Sequence, residues 1–166
     1  HRPAWSPSGD RIAFTAEGGG NREIFVMNAD GTNQVNITNT GALDQSPAWR
    51  PDGLRIAFMS GRSGEQAIHT MDPDGEHVRQ LTSGSREIGG PAWSPDGLKI
   101  AYFARPTGFF ELYMMDWDGA NQTQLTFDNA NVRRPSWSPD GALIAFPSNR
   151  GGAGNWDIYT IDPYST

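Results

Sequence analysis

Three arginines, Arg2, Arg133 and Arg134, are the residues of this sequence with the most evident binding chemistry. A guanidinium group stays charged and presents its donors in a fixed fork, so clustered arginines bind carboxylates and phosphates. We therefore predict an anion site formed by these arginines, with Asp44 and Glu87 opposite them. The alternative is ordinary pairing of surface charges, which contributes little to stability.

Aromatic residues and one amide extend the set of candidate partner-binding residues. Phe109 and Phe110 follow Gly108, Trp156 follows Asn155, and Gln45 follows Asp44. Aromatic side chains dominate the binding energy of many protein interfaces, so these residues are candidate anchors for a protein or peptide. The alternative is that they pack against the rim of the fold.

The sequence carries no signature of catalysis or of metal binding. It has no Gly-x-Ser-x-Gly or His-Glu-x-x-His motif, and Lys99 follows Leu98 rather than the glycine of a phosphate-binding loop. His1, His69 and His77 lack ligand spacing, and we interpret His69 as a packed or rim residue of a third strand rather than a metal ligand. We therefore predict a protein that is not an enzyme and that has no cofactor and no metal site.

The composition excludes several classes of protein. The chain has 166 residues, a net charge of −6 and no cysteine, which excludes a disulfide scaffold and a thiolate zinc site. The acidic balance argues against nucleic acid as the main partner. No apolar run approaches the ~20 residues that span a bilayer, so we predict no membrane insertion. The first residues, His1 onward, do not form a signal peptide.

A repeat of 44 residues dominates the sequence. Four tryptophans keep this step, and so do a proline two residues before each of them and an isoleucine seven residues after: Trp5, Trp49, Trp93, Trp137; Pro3, Pro47, Pro91, Pro135; Ile12, Ile56, Ile100, Ile144. The repeat divides the chain into units 3–46, 47–90, 91–134 and 135–166. Such repeats indicate an architecture built from one recurring structural unit.

Each unit is typical of short antiparallel strands joined by tight turns. A Pro-Ala-Trp strand leads into a Ser-Pro-Asp-Gly turn, an Ile-Ala-Phe strand, a third strand that ends near methionine, and a Leu-Thr strand end. Both faces of Ile-Ala-Phe are apolar, so each sheet must lie between two others. We predict an all-β propeller of four four-stranded blades, with the last blade lacking its outer strand. No segment has the 3.6-residue period of a helix.

These motifs resemble the TolB-like β-propeller family. The resemblance rests on Pro-x-Trp-Ser-Pro-Asp-Gly-x-x-Ile-Ala-Phe, Ile-Tyr-x-Met-Asn-x-Asp-Gly and Leu-Thr, and it covers nearly the whole chain; Ser8 and Arg50 depart from it. It implies a periplasmic or extracellular protein. The family includes the periplasmic Tol component, the propellers of prolyl oligopeptidase-like and tricorn-like peptidases, and some sugar lyases, so the fold alone does not define a reaction.

The strand count leaves the ring incomplete. The resemblance implies about six to eight blades, whereas the sequence supplies four. We expect either a segment of a larger propeller or half of an eight-blade ring that a second copy completes, because the outward faces of the first and last units are apolar.

Antiparallel order places the connections on two edges of the blades. One edge, the turn face, carries the uniform Ser-Pro-Asp-Gly and Asp-x-Asp-Gly turns. The other, the link face, carries diverse loops and the inter-blade links: loops 17–20, 62–64, 106–110 and 151–156, and links 44–46, 87–90 and 132–134. Diversity within one chain favours binding at the link face.

Three functions remain open at this stage. The leading hypothesis is a noncatalytic scaffold that binds a protein or peptide through the link face. The second is the accessory propeller of a prolyl oligopeptidase-like or tricorn-like peptidase. The third is a small-ligand or sugar-lyase-type site at the channel mouth, which requires clustered histidines and carboxylates from outside this chain.

Overall fold

Four antiparallel sheets, one for each sequence repeat, make up the fold. The computed structural model describes residues 2–84, 87–106, 108–152 and 154–165. Each sheet, here called a blade, takes its strands in sequence order. The first two blades contain β1 (Ala4–Trp5), β2 (Arg11–Gly18), β3 (Asn21–Asn28), β4 (Val35–Asn36), β5 (Asp44–Trp49), β6 (Ile56–Ser60), β7 (Ala67–Met71) and β8 (Arg79–Gln80).

The last two blades repeat this order, and the final one has three strands among the described residues. They contain β9 (Glu87–Trp93), β10 (Lys99–Arg105), β11 (Glu111–Asp116), β12 (Thr123–Gln124), β13 (Ser136–Trp137), β14 (Ile144–Ser148) and β15 (Asp157–Ile161). The prediction of an all-β, TolB-like propeller with a three-stranded last blade is confirmed. No helix that could cross a membrane occurs in the part of the chain that the structure describes.

The first turn of each blade is held by a serine or by its substitute. In blade 3, the Ser94 hydroxyl accepts a hydrogen bond from the Lys99 amide at 2.9 Å and donates to Asp96 at 2.5 Å. In blade 1, Asp10 replaces the missing aspartate and accepts from Ser6 at 2.9 Å. The sequence departures in the first two blades therefore keep the turn, as the 2.9 Å bond from the Gly53 amide to the Arg50 carbonyl shows in blade 2.

The outer strands are shorter than the sequence predicts, because their threonines have another role. The strands β4, β8 and β12 each have two residues and end before the Leu-Thr or Ile-Thr pair. Each threonine hydroxyl instead accepts a hydrogen bond from the third strand: Ile24 to Thr38 at 3.0 Å, Ile68 to Thr82 at 2.9 Å and Leu112 to Thr126 at 2.9 Å. The side chain thus replaces a backbone partner at the rim.

Three apolar seams join the blades, and each contains the tryptophan of the following blade. Trp49, Ile56 and Phe58 pack against Ala13 and Ile24 between blades 1 and 2. Equivalent clusters form around Trp93 and Trp137. The pairing of tryptophan with isoleucine in the first two strands has the same register in all four blades. The repeat therefore encodes the seam as well as the sheet.

The two ends of the stack leave seam residues uncovered. Trp5 is 58% exposed, whereas its equivalents Trp49 and Trp93 are 7% and 8% exposed. Trp5 occupies the expected strand position, but it does not lie between blades, because no described blade precedes β1. At the other end, Ile158 on β15 is 71% exposed, whereas its equivalent Ile24 is fully buried.

The second turn of a blade rests on the outer end of the preceding blade. A Cβ added at Gly75 would overlap the Ile37 carbonyl oxygen, and one at Gly119 would lie 2.7 Å from the Leu81 carbonyl oxygen. Gly31, in blade 1, meets nothing within 4 Å. The glycine of this turn is therefore required by contact between blades as well as by its positive φ.

Replacing Trp49 with alanine is expected to lower the free energy of unfolding by about 3–5 kcal/mol, because it empties the seam between blades 1 and 2. Trp5→Ala is the matched control: it removes the same side chain at the same repeat position, but from an exposed site, and should cost no more than about 0.5 kcal/mol. Denaturant unfolding followed by circular dichroism measures both. Equal losses for the two variants would show that the seam does not depend on this tryptophan.

Candidate functional site

The residue before the repeated proline of each unit lies at the central channel. Arg2, Ser46, Gly90 and Arg134 keep the 44-residue step. Together with the four prolines that follow them, these residues line a cavity of about 310 Å3. The first strand of a blade is innermost. Ser46 and Gly90 lie within β5 and β9, whereas Arg2 and Arg134 lie two residues before β1 and β13. Two of the four channel positions are therefore arginine and two are small residues.

Gly90 makes room for one of these arginines. Its φ is +61°. A Cβ built there would lie 2.6 Å from Cε1 of Phe103 and 3.2 Å from Cγ of Arg134. Because the Phe103 ring and the Arg134 stem occupy this space, any larger residue at position 90 would displace them. Glycine at position 90 therefore allows the stem of Arg134 to pack against the backbone there.

The second channel arginine lies against the small residue of the next blade. Arg2 donates a hydrogen bond from Nη1 to the hydroxyl of Ser46. Partial burial lowers the pKa of Arg2, and the positive charges of Arg134 and Arg22 lower it further. Arg2, Arg22 and Arg134, from blades 1 and 4, also line one cavity beside the channel mouth. An anion bound beside these guanidinium groups would stabilise their positive charge.

Two further cavities adjoin the channel mouth on the link face. One, of about 340 Å3, is lined by Arg2, Thr15, Arg22, Gln45 and Arg134. The other, of about 430 Å3, combines cationic and apolar residues: Arg2, Phe103, Arg105, Phe110, Asn131, Val132, Arg133, Arg134 and Trp156. Arg2 and Arg134 line all three cavities, which are here called together the channel groove.

The wall of the larger cavity is ordered by contacts between aromatic rings and guanidinium groups. The Arg133 guanidinium carbon lies 4.0 Å from the ring centroid of Trp156. Phe103 and Phe110 meet edge to face, with centroids 5.5 Å apart, and Arg105 lies 4.9 Å from the Phe110 centroid. The wall can therefore contact an apolar side chain while it keeps positive charge beside it.

The structure brings together six of the nine residues singled out from the sequence: Arg2, Gln45, Phe110, Arg133, Arg134 and Trp156. The other three lie elsewhere. Asp44 is fully buried and accepts hydrogen bonds from Arg62 and Thr40, each at 3.0 Å. Glu87 forms an ion pair with Arg105, and Phe109 is exposed outside the described lining of the groove.

Sequence reasoning missed the residues that shape the groove. Arg22, Arg105 and Phe103 were not singled out, since they belong to strands whose other residues are structural. Ser46 and Gly90 were overlooked because they carry no charge. The 44-residue step from Arg2 through positions 46 and 90 to Arg134 is the signal that identifies them.

Positive charge in the groove is not balanced by its own lining. Among the described residues that line the three cavities, none is aspartate or glutamate. Arg22 lies 3.7 Å from Glu17, and Arg105 pairs with Glu87. No described carboxylate lies within ion-pair distance of Arg2, Arg133 or Arg134. The arrangement can therefore bind an anionic group.

Comparison with known proteins defines the family. The sequence profile of the TolB beta propeller domain matches residues 1–90 and 83–165. The chain belongs to the TolB β-propeller family. No curated protein matches the sequence.

Solved TolB structures superpose on nearly the whole chain. TolB from Acinetobacter baumannii is 27% identical, with a TM-score of 0.83, and the match covers 98% of this chain and 40% of that one. A putative TolB from Agrobacterium tumefaciens is 28% identical, with a TM-score of 0.84 and coverage of 98% and 58%. The chain thus spans about half the length of these TolB proteins.

A puromycin hydrolase has the same fold over a segment. It is 16% identical, with a TM-score of 0.76, and the match covers 96% of this chain and 26% of that one. At this identity the likeness concerns the fold alone.

His69 is packed in the interior rather than placed at the rim, which are the two positions that the sequence left open. Its ring is 2% exposed and lies 5.7 Å, centroid to centroid, from Phe58. Nδ1 lies 3.2 Å from the Ala67 carbonyl oxygen. Among the described residues, no group of three or more histidine, aspartate or glutamate side chains could hold a metal ion.

His69→Phe is expected to reduce the loss of stability in acid. Burial, with a smaller effect of the Arg62 charge, lowers the pKa of His69. The unfolded chain therefore takes up a proton near pH 6.5 that the folded chain takes up only at lower pH, so stability falls as pH falls through this window. Phe25 fills the equivalent position in blade 1, so phenylalanine fits the packing.

The free energy of unfolding, measured from about pH 7 to about pH 5 by urea titration, should fall more steeply for the wild type than for His69→Phe. Parallel curves for the two proteins would contradict the assignment of this acid sensitivity to His69.

Proposed function

We propose that this chain is a noncatalytic segment of a TolB-type propeller that binds a protein or peptide on its link face. The observation that carries this proposal is the channel groove, where arginines and partly exposed aromatic rings line three cavities that share Arg2 and Arg134. Aromatic and arginine side chains are the residue types that dominate binding energy at protein interfaces. Family resemblance supports a periplasmic or extracellular location.

The contrast between the two edges of the blades supports this choice of face. On the turn face, a cavity of about 470 Å3 is lined by Ser94, Asp96, Asp140 and neighbouring turn residues. Its aspartates already accept hydrogen bonds within their own turns, at 2.5 Å from Ser94 and from Ser138. The turn face is therefore occupied by structural bonds, whereas the link face offers donors to a ligand.

The noncatalytic part of the proposal rests on the side chains of the groove. Arginine, phenylalanine, tryptophan and proline dominate its lining, and they bind and orient rather than attack or transfer protons. A peptidase role would require a nucleophile and a base from another part of a longer chain. Hydrolysis of a generic ester or peptide by the purified chain, abolished by one substitution in it, would contradict this part.

The link face can be tested with a matched pair of tryptophans. Trp156 lies on the link face and is 38% exposed, and Trp117 lies on the turn face and is 42% exposed. Both lie beside an arginine. Peptides selected from a random display library on the immobilised chain should bind Trp156→Ala at least about tenfold more weakly, as expected for an anchor residue.

Trp117→Ala should change the affinity of the same peptides by less than about twofold, since exposed residues outside an interface contribute little. Fluorescence anisotropy with labelled peptides measures both affinities. Peptides that bind Trp156→Ala normally but lose affinity for Trp117→Ala would place binding on the turn face and overturn the proposal. Failure to select any peptide would overturn it as well.

We also propose that two copies associate through the end faces of the stack. Trp5, Ile12 and Phe14 on blade 1 occupy the positions that Trp49, Ile56 and Phe58 use in the first seam. Ile158 on blade 4 occupies the position of Ile24, which forms the other side of that seam. One copy therefore presents both halves of a seam, and two copies joined head to tail would form an eight-blade ring.

Light scattering at micromolar concentration should report a dimer for the wild-type chain. Trp5→Glu or Ile158→Glu should produce a monomer, because each places a charge in the new seam. Leu54→Glu is the control, since Leu54 is equally exposed but lies in a turn of blade 2. A wild-type monomer would show that the ring does not form from two copies.

A further inference from the structure

We infer that the channel groove selects acidic peptides, with a glutamate or aspartate side chain held between Arg2 and Arg134 and a neighbouring apolar side chain placed against Trp156 and Phe110. This inference rests on the proposed function and names its ligand class. Neither the family nor the structural comparisons assign these residues to a ligand.

The placement of Arg2 and Arg134 favours an acidic ligand. They occupy equivalent positions in blades 1 and 4, and both line the cavity at the channel mouth. Ser46 and Gly90, at the intervening positions, line the same cavity and carry no charge. A carboxylate in this cavity can therefore accept hydrogen bonds from both guanidinium groups.

The charge of the groove lining is opposite in sign to the net charge of the chain. The chain has a net charge of −6, yet the described lining of the groove has five arginines and no carboxylate: Arg2, Arg22, Arg105, Arg133 and Arg134. Two of these arginines have acidic partners outside the lining. An acidic ligand would be repelled by most of the surface and attracted to this groove, which favours its orientation on approach.

The apolar wall beside the arginines favours a peptide over a free inorganic anion. Phe103, Phe110, Val132 and Trp156 line the same cavity as Arg2 and Arg134. A phosphate ion or a small carboxylate would use the arginines and leave these rings uncovered. A peptide uses both, because neighbouring side chains can reach the anionic and the apolar parts of the groove.

The test is selection of random peptides on the wild-type chain, on Arg134→Gln and on Arg79→Gln. Arg79→Gln is the matched control: it removes the same charge from an exposed position on the outer strand β8 of blade 2. We expect aspartate and glutamate to be enriched at least about threefold on the wild type and on Arg79→Gln. This enrichment should disappear on Arg134→Gln. Arg2→Gln is the second variant, and it should act in the same direction.

The most enriched peptide is then synthesised with its acidic residues and with the matching amides. The acidic form should bind the wild type at least about tenfold more tightly at low salt, and this preference should shrink at about 0.5 M NaCl as the charges are screened. Arg134→Gln should reduce the preference to about twofold or less. Circular dichroism confirms that the variants are folded.

The possible failures are distinguishable. If peptides are selected and lose affinity for Trp156→Ala, but acidic and amide forms bind equally, the acidic preference is wrong and the proposed function stands. If free phosphate or citrate at millimolar concentration displaces the peptide from the wild type and from Trp156→Ala alike, the groove is a simple anion site and the inference is wrong. If no peptide is selected, the proposed function and this inference both fail.

Discussion

The packing of a tryptophan against the preceding blade is the interaction on which the other features depend. In two of the three seams the indole also donates a hydrogen bond, whereas Nε1 of Trp49 is buried without a partner among the described residues. Nε1 of Trp93 donates to the Ala48 carbonyl oxygen at 3.1 Å, and Nε1 of Trp137 donates to the Ala92 carbonyl oxygen at the same distance. Each bond joins the innermost strands of two successive blades. Ser46 and Gly90 lie two residues before these acceptors, so the same bond fixes the positions around the channel. The same segments of the innermost strands therefore form the seam between blades and carry residues of the groove.

Most of the fold could be predicted from the sequence because the repeat encodes local pairing. Tryptophan and isoleucine at fixed spacing define two adjacent strands, and the Ser-Pro-Asp-Gly turn between them fixes their register. Two features could not be predicted. The outer strands end early because their threonine hydroxyls accept bonds from the third strand, and Trp5 is exposed because its burial depends on a neighbouring blade.

The candidate site was predictable only in part, since charge alone does not reveal direction. Arg2 and Arg134 were identified by their charge, and the structure places both at the channel mouth. Asp44, identified on the same ground, is buried against Arg62. A charged residue in a link can point to the channel or to its own blade. That choice depends on the side chains of neighbouring strands, as the space shared by Gly90, Phe103 and Arg134 illustrates.

The close contact of the second turn with the preceding blade has a mechanical consequence. At Gly75 and Gly119 the backbone meets the Ile37 and Leu81 carbonyl groups with no room for a side chain. Neighbouring blades therefore cannot move closer together at these turns, which lie on the turn face. If the blades tilt relative to one another, the spacing between them must change at the opposite edge, the link face. The channel groove lies on the link face, so tilting of the blades would change the width of the groove.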